Sequence, residues 1–269
     1  MISLEKMIKR RMIILKINNV SELKKIANDV RIGIIEEVYN AQSGHPGGAL
    51  SVADILTVLY FNEMNIDEKN PDMQNRDRLV LSKGHASPAL YSVLANKGFF
   101  SKEELKTFRK IDSNLQGHPD KNKVKGVDMT TGSLGQGLSA ANGMALAGKL
   151  DKLNYRVYCI LGDGELEEGQ VWEAAMTSHH YKLDNLCVIV DNNNLQIDGK
   201  VEEVMNIYPI ADKFKSFGFE TIQIDGHNIT QIIEAFGKAK KVKDRPTAII
   251  AKTVKGKGVS YMENQAGWH

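Results

Sequence analysis

Two short, unbroken apolar runs stand in the middle of the chain: Val157-Tyr158-Cys159-Ile160-Leu161 and Leu186-Cys187-Val188-Ile189-Val190. Neither alternates with polar residues. Strands that bury both faces read this way, as in a parallel sheet covered by helices on either side. The first run closes on Gly162-Asp163-Gly164 and the second on Asn192-Asn193-Asn194. Between them, Glu165 to Tyr181 carries Leu166, Val171, Trp172, Ala175 and Met176 in a helix-like pattern. The pattern predicts a strand–loop–helix–strand–loop unit. With a right-handed crossover and neighbouring strands, Asp163 and Asn193 emerge at one edge of the sheet. Open α/β sheets bind their ligands at that edge.

The flanking sequence is α/β throughout. Ser21 is positioned to cap a helix running to about Tyr39, with Leu23, Ile26, Val30, Ile34 and Val38 apolar. Ser51 similarly opens a predicted helix over Val52 to Phe61. Arg78-Leu79-Val80-Leu81 reads as a short strand, Ala89 to Ala95 as a helix, and Leu134 to Leu150 as a helix rich in small residues. Phe219 to Ile224 and Thr247 to Ala251 supply further strands, separated by a helix at Ile229 to Ala239. Ile111 to Met129 is polar and reads as a long loop, a feature that in compact domains is usually functional. No internal repeat, low-complexity tract or linker interrupts the pattern.

Composition narrows the class. A chain of 269 residues can bury one sizeable core, and one domain over residues 20–269 is expected. Residues 1–19 read as an N-terminal extension. Lys6 to Arg11 followed by Met12-Ile13-Ile14-Leu15 imitates a signal peptide, but Lys16 ends the apolar run early and no small-residue cleavage site follows. A formal charge of +2, with no basic block interleaved with aromatics, argues against a nucleic-acid partner. No stretch is long enough to cross a membrane. Cys159 and Cys187 lie inside predicted buried strands and read as inert core thiols. A cytoplasmic α/β protein is expected.

Asp163 offers a hard anionic oxygen and Asn193, thirty residues later, a neutral amide oxygen. With a backbone carbonyl from Leu195, such a set suits Mg²⁺ or Ca²⁺ whose other positions go to phosphate oxygens and water. Gly164 would let backbone N–H groups approach phosphates, and the next helix would turn its positive end toward them. A tight turn beside a polar loop, without metal, is the bland alternative; strands before both ends argue against it. His45, His85 and His118 each follow glycine in a predicted loop, and His269 ends a glycine-containing one. Imidazole suits proton transfer and hydroxyl recognition near neutral pH, and the spacing matches no zinc pattern. His179 and His180 sit in the predicted crossover helix and read as helix-surface or packing residues. His227 precedes Asn228, a cap for the next helix. Glu165 and Glu167 read as exposed.

Gly162-Asp163-Gly164 followed by Asn193 resembles the thiamine diphosphate motif. The surrounding segments resemble transketolases: Ser43-Gly44-His45-Pro46-Gly47, Arg76-Asp77-Arg78, Leu81-Ser82-Lys83-Gly84-His85-Ala86, Gly117-His118-Pro119 and Thr131-Gly132-Ser133-Leu134-Gly135-Gln136-Gly137. They occur in family order from about Val20 to His269. Ser133 stands where many transketolases have proline. The resemblance covers the N-terminal part of a full transketolase, so it implies the N-terminal subunit of a split enzyme with a thiamine diphosphate-binding fold. It implies transfer of a two-carbon ketol unit from a ketose phosphate to an aldose phosphate.

The resemblance also assigns residues. It implies that Asp163, Asn193 and the Leu195 carbonyl hold the metal. His85, Gly132, Leu134, Gly162, Gly164, Glu168, Ile197 and His269 join Asp163 and Asn193 in contacting thiamine diphosphate. His45, His118 and His269 serve substrate and proton transfer. Glu168 and Glu173 lie near the cofactor and the subunit contact. The family's activating glutamate belongs to the pyrimidine-binding domain, so a separate C-terminal subunit is implied, in an α₂β₂ particle. The Trp172/Met176 side of the crossover helix and the helix at Leu134 to Leu150 are the expected contact surface. Three other readings share part of this pattern. A 2-oxoacid dehydrogenase E1 alpha subunit shares Gly-Asp-Gly and Asn, but the Gly-His-Pro pair and the Ser-Lys-Gly-His segment oppose it. A deoxyxylulose-phosphate synthase shares the fold, but His45-Pro46-Gly47 opposes it. A non-catalytic cofactor-binding module is opposed by the intact Asp163, Asn193 and loop histidines.

Overall fold

The computed structural model describes residues 16–269; residues 1–15 of the expected N-terminal extension lie outside the described residues. Five parallel strands form the central sheet: β1 (Arg78–Leu81), β2 (Val157–Gly162), β3 (Leu186–Asn192), β4 (Glu220–Asp225) and β5 (Thr247–Lys252), in the order β1-β2-β3-β5-β4. The register pairs Gly162 with Asp191 and Asn192 with Lys252, so neighbouring strands end almost level.

Side-chain alternation along these strands feeds two cores. Tyr158, Ile160, Cys187, Ile189 and Ile249 face α1 (Val20–Ala41), α2 (Pro46–Val58), α3 (Ser87–Lys97) and, later in the chain, the helix Ile229–Ala239. Val157, Cys159, Leu161, Val188 and Ile250 face α4 (Gln136–Leu150), α5 (Gly169–His180) and α6 (Ile210–Ser216). With Ile229–Ala239 as α7, both faces of the sheet are covered, which explains why β2 and β3 read as continuous apolar runs. Cys159 and Cys187 are fully buried on opposite faces and form no disulfide.

The differences from expectation are local. Asn19, not Ser21, caps α1: its side chain accepts from the N–H of Ser21 at 2.9 Å and of Glu22 at 3.2 Å. α2 begins at Pro46 rather than after Ser51, because proline has no N–H to lose at the first helical position. It continues as a π-helical turn over Leu59–Glu63. Ser51 is buried inside α2, where its hydroxyl donates to Asp191 Oδ2 at 2.6 Å. Residues 111–129 contain no helix or strand. α3 anchors them: Ser87 Oγ donates to Gly117 O at 2.8 Å and Tyr91 Oη to Gln116 O at 2.9 Å. Trp172 is less available than expected, since its ring packs on Phe214 and Phe217 at 5.2 and 5.5 Å. Met176 and Leu150 remain exposed. Among the described residues no helix is long and apolar enough to cross a membrane.

Candidate functional site

Because the strands end level, the segments leaving them converge on one edge. β1 runs into Ser82-Lys83-Gly84-His85, β2 into Asp163-Gly164, β3 into Asn193 and Leu195, and β5 into Thr253 and Lys255. The start of α2 brings Gly48 to the same place, and the last turn of the chain returns His269. Together they enclose a cavity of about 200 Å³. Of the residues expected to bind cofactor or metal, His85, Leu134, Gly162, Asp163, Gly164, Glu168, Asn193, Leu195, Ile197 and His269 line it. A larger groove of about 400 Å³ lies beyond His269, between Tyr39 and Trp268. It gathers no charged cluster, so the chemistry favours the smaller cavity.

The three proposed oxygen donors share one corner. Asp163 is buried; Oδ1 accepts from Gly164 N–H at 2.9 Å and Oδ2 from the N–H of Asn194. Asn193 Oδ1 accepts from Leu195 N–H at 3.1 Å. The Leu195 carbonyl accepts from Lys255 Nζ at 3.1 Å. Burial, helped by the negative charge of Asp191, pushes the Asp163 carboxyl up to about 6. A carboxylate held so unfavourably gains from a nearby cation. These are hard oxygen ligands, as Mg²⁺ or Ca²⁺ requires. No cluster of His, Cys, Asp and Glu fit to hold a metal occurs among the described residues.

The opposite wall is basic and open to an anion. A Cβ added at Gly48 would stand 3.3 Å from His85 Nε2 and 3.5 Å from Lys83 Nζ, filling the space in front of both. A Cβ at Gly164 would stand 3.4 Å from the Gln196 side chain. Glycine at these positions leaves that space unfilled. A short 3₁₀ turn, Gly164–Glu167, separates Gly164 from α5, so the nearest N–H groups belong to that turn rather than to the helix itself.

Lys83 forms the floor. It is 1% exposed, donates to Gly48 O at 2.9 Å and pairs with Asp191, which is fully buried. Asp191 also accepts from Ser51 Oγ and Thr253 Oγ1. Burial raises the Asp191 carboxyl, but the Lys83 ammonium and these donors outweigh it and hold it below its ordinary value. Burial and the charge of Lys83 bring Lys255 down to about 8. Its Nζ lies 2.7 Å from His269 Nδ1, where an ammonium donates and so leaves the ring proton on Nε2.

The ring centres of His45, His85 and His269 form a triangle with sides of 5.3, 5.5 and 5.3 Å. Burial and the neighbouring Lys255 depress His269 to about 4. Burial and Lys83 hold His85 well below its ordinary value, and burial and Arg109 lower His45. Burial and Arg109 also lower the exposed His118. A Cβ added at Gly132 would stand 3.3 Å from the His118 ring, and neither residue lines the cavity. Neutral at physiological pH, the four imidazoles can each donate and accept.

Sequence reasoning passed over several groups. Lys83 and Gly48 lie within or beside quoted motifs, and Lys255 in Lys255-Gly256-Lys257-Gly258, but nothing in their spacing marks them as cavity walls. Arg109 was silent too; it donates to Ser43 Oγ at 2.6 Å and reaches His45 Nδ1 at 3.5 Å. Glu165 corrects an expectation: it is 2% exposed, because three donors converge on its carboxylate. Glu167, Glu168 and Glu173 are exposed. His179 and His180 lie on the α5 surface. His227 donates from Nδ1 to Asp54 at 2.8 Å and accepts from Val254 N–H at 2.9 Å, while Asn228 caps α7.

The family described as "Transketolase, thiamine diphosphate binding domain" matches residues 22–269. The chain belongs to the transketolase family. It is 46% identical over 248 residues to the 6-deoxy-6-sulfo-D-fructose transketolase subunit of Clostridium sp. (strain MSTE9), covering 92% of this chain and 90% of that protein. It is 45% identical over 248 residues to an apulose-4-phosphate transketolase subunit of Phocaeicola vulgatus, covering 92% and 87%. Against human transketolase the identity is 49% over 250 residues, covering 92% of this chain but 39% of that protein. The solved transketolase of Campylobacter jejuni superposes with a TM-score of 0.88 at 40% identity, over 93% of this chain and 40% of the other. The five-stranded parallel sheet flanked by helices is thus the thiamine diphosphate-binding fold of transketolases. The chain spans about two-fifths of the long transketolases and nearly the whole of the two bacterial subunits.

Proposed function

We propose that this transketolase-family chain anchors thiamine diphosphate and a divalent cation for a two-polypeptide transketolase. The carrying observation is the cavity at the carboxyl edge of the sheet, with oxygen donors in one corner and Lys83, His85 and Lys255 on the other walls. Asp163, Asn193 and the Leu195 carbonyl would hold Mg²⁺ or Ca²⁺. His85, Gly164 and His269 would receive the diphosphate, with Gly132, Leu134, Gly162, Glu168 and Ile197 bordering the cofactor. Bound thiamine diphosphate supplies an electron sink for breaking and making the carbon–carbon bond beside a carbonyl.

The chain's own groups do the rest. Lys255 and His85 line the walls that would meet the diphosphate, while the charge of Lys83 is matched by Asp191. His45, His118 and His269 present uncharged imidazole to the open side, where they orient sugar hydroxyls and pass protons at the acceptor aldehyde. Arg109 holds the His45 ring by its Nδ1 edge.

The missing half of the site would come from a C-terminal transketolase subunit carrying the pyrimidine-binding and C-terminal domains, in an α₂β₂ particle. The extent of the match to two proteins named as subunits supports this division. The expected substrates are a ketose phosphate donor and an aldose phosphate acceptor in a cytoplasmic sugar pathway. The names of the two relatives widen the set to be assayed to 6-deoxy-6-sulfo-D-fructose and apulose 4-phosphate. Co-expression with the candidate second chain, followed by a ketol-transfer assay and size measurement, is the test. Full activity from the rigorously purified single chain would sink the two-chain reading.

A further inference from the structure

Each hydrogen bond of Glu165 joins a different segment. Oε1 accepts from Ser82 Oγ, just after β1, and from Gly135 N–H at 2.8 Å, just before α4. Oε2 accepts from Gly162 N–H at 3.0 Å, at the end of β2. Ser82 Oγ in turn accepts from Gly137 N–H at 3.2 Å, extending the tie into the first turn of α4. One buried carboxylate therefore fixes the separation of two cofactor-facing turns. Gly132 and Leu134 precede its Gly135 anchor, and Asp163 and Gly164 follow its Gly162 anchor. Glu165 also lines the cavity.

We propose that Glu165 is a positioning residue that locks the 132–134 turn against the 162–164 turn and so sets the width of the cofactor cavity. The cofactor part of this inference rests on the function proposed above. Both carboxylate oxygens are used as acceptors, and the residue has no donor to offer. Glutamine keeps the shape but replaces one acceptor with an NH₂ group. One of the three donors would then face another donor, a buried mismatch that the turns relieve by moving apart. Alanine removes all three acceptor contacts.

The test compares wild type with Glu165→Gln and Ser82→Ala, the second removing one of the three donors to the carboxylate together with the acceptor of Gly137 N–H. Thiamine diphosphate is titrated with Mg²⁺ into each assembled enzyme, and amide hydrogen exchange is followed on this chain by mass spectrometry. Glu165→Gln is expected to weaken thiamine diphosphate binding by about tenfold or more, and Ser82→Ala by less. The concentration of cofactor giving half-maximal rate should rise while the rate at saturation changes far less. Exchange should quicken at residues 131–137 and 162–168 and stay slow in β2 and β3. Unchanged affinity in Glu165→Gln overturns the proposal, as does faster exchange spread through β2 and β3, which would make Glu165 a general stability residue. If wild type itself fails to bind thiamine diphosphate, the proposed function fails. The lock is then judged by exchange alone: quickening confined to the two turns upholds it, and its absence overturns it.

Discussion

Replacing Lys83 by methionine should cost this chain about 3–5 kcal/mol of folding stability, the usual penalty for removing one partner of a buried ion pair. The structure sets the size of the effect. Lys83 is 1% exposed and Asp191 0%, so water cannot take over the lost interaction. After the substitution Asp191 keeps its two hydroxyl donors, Ser51 and Thr253, but no positive charge, and Gly48 O loses one of its donors. Adding Asp191→Asn to Lys83→Met removes the orphaned charge and should recover most of the loss, because a buried pair replaced as a unit is often nearly neutral. The pH dependence follows. In the wild type Asp191 titrates below its ordinary 3.8, so its contribution is present above that value and is lost as the pH falls below it. Without the ammonium, burial is opposed only by the Ser51 and Thr253 hydroxyls, and the Asp191 carboxyl moves up from its wild-type position. Acid then protonates the carboxyl in the folded variant, and the deficit against wild type shrinks toward low pH. Urea unfolding of the three proteins at pH 7.5 and pH 4.5 measures all of this. A deficit under about 1 kcal/mol at the higher pH would refute the argument from burial. An equal deficit in the double variant would show that lost packing, not charge, is responsible.

Asp163→Ala should abolish Mg²⁺-dependent thiamine diphosphate binding in the assembled enzyme; unchanged affinity by calorimetry would return Asp163 to a turn residue. His118→Ala should reduce turnover by about 10²–10⁴-fold, as for loss of a general acid or base, with cofactor affinity kept; equal kinetics would leave His118 without a role. Glu37 is fully buried, its carboxyl oxygens have no partner among the described residues, and burial raises it well above 4.5. The native state therefore keeps a proton that the unfolded chain releases, and stability should fall as pH rises above 4.5. Glu37→Gln should flatten that fall; parallel stability profiles for the two proteins would contradict it.

The sheet was legible because β2 and β3 are buried on both faces and β1 and β5 nearly so, which leaves uninterrupted apolar runs in the sequence. Helix starts were less so. Ser21 and Ser51 are good caps in isolation, but Asn19 and Pro46 stand earlier and win, and Ser51 serves a partner 140 residues away. The Asp163 and Asn193 corner was legible because both residues follow strand ends directly. Its supports were not. Glu165 looks like any acid in an acidic turn, and only the approach of Ser82, Gly135 and Gly162, set by the packing of α4 against the sheet, makes it internal. Lys83 likewise depends on Asp191, a residue that reads only as the polar end of an apolar run.

The order of strands also dictates when the cavity can exist during synthesis. β1 waits for β2, whose paired residue Val157 follows Arg78 by 79 positions. Parallel neighbours cannot form before the whole crossover between them has been made. Thr253 and Lys255 emerge only after β5, which enters the sheet between β3 and β4. A growing chain that has left the ribosome as far as Leu195 already carries the three proposed oxygen donors, yet lacks Thr253 to steady Asp191 and Lys255 to complete the cavity wall. Capture of the proposed cofactor would therefore wait until the segment through Lys255 has been made and has joined the sheet edge.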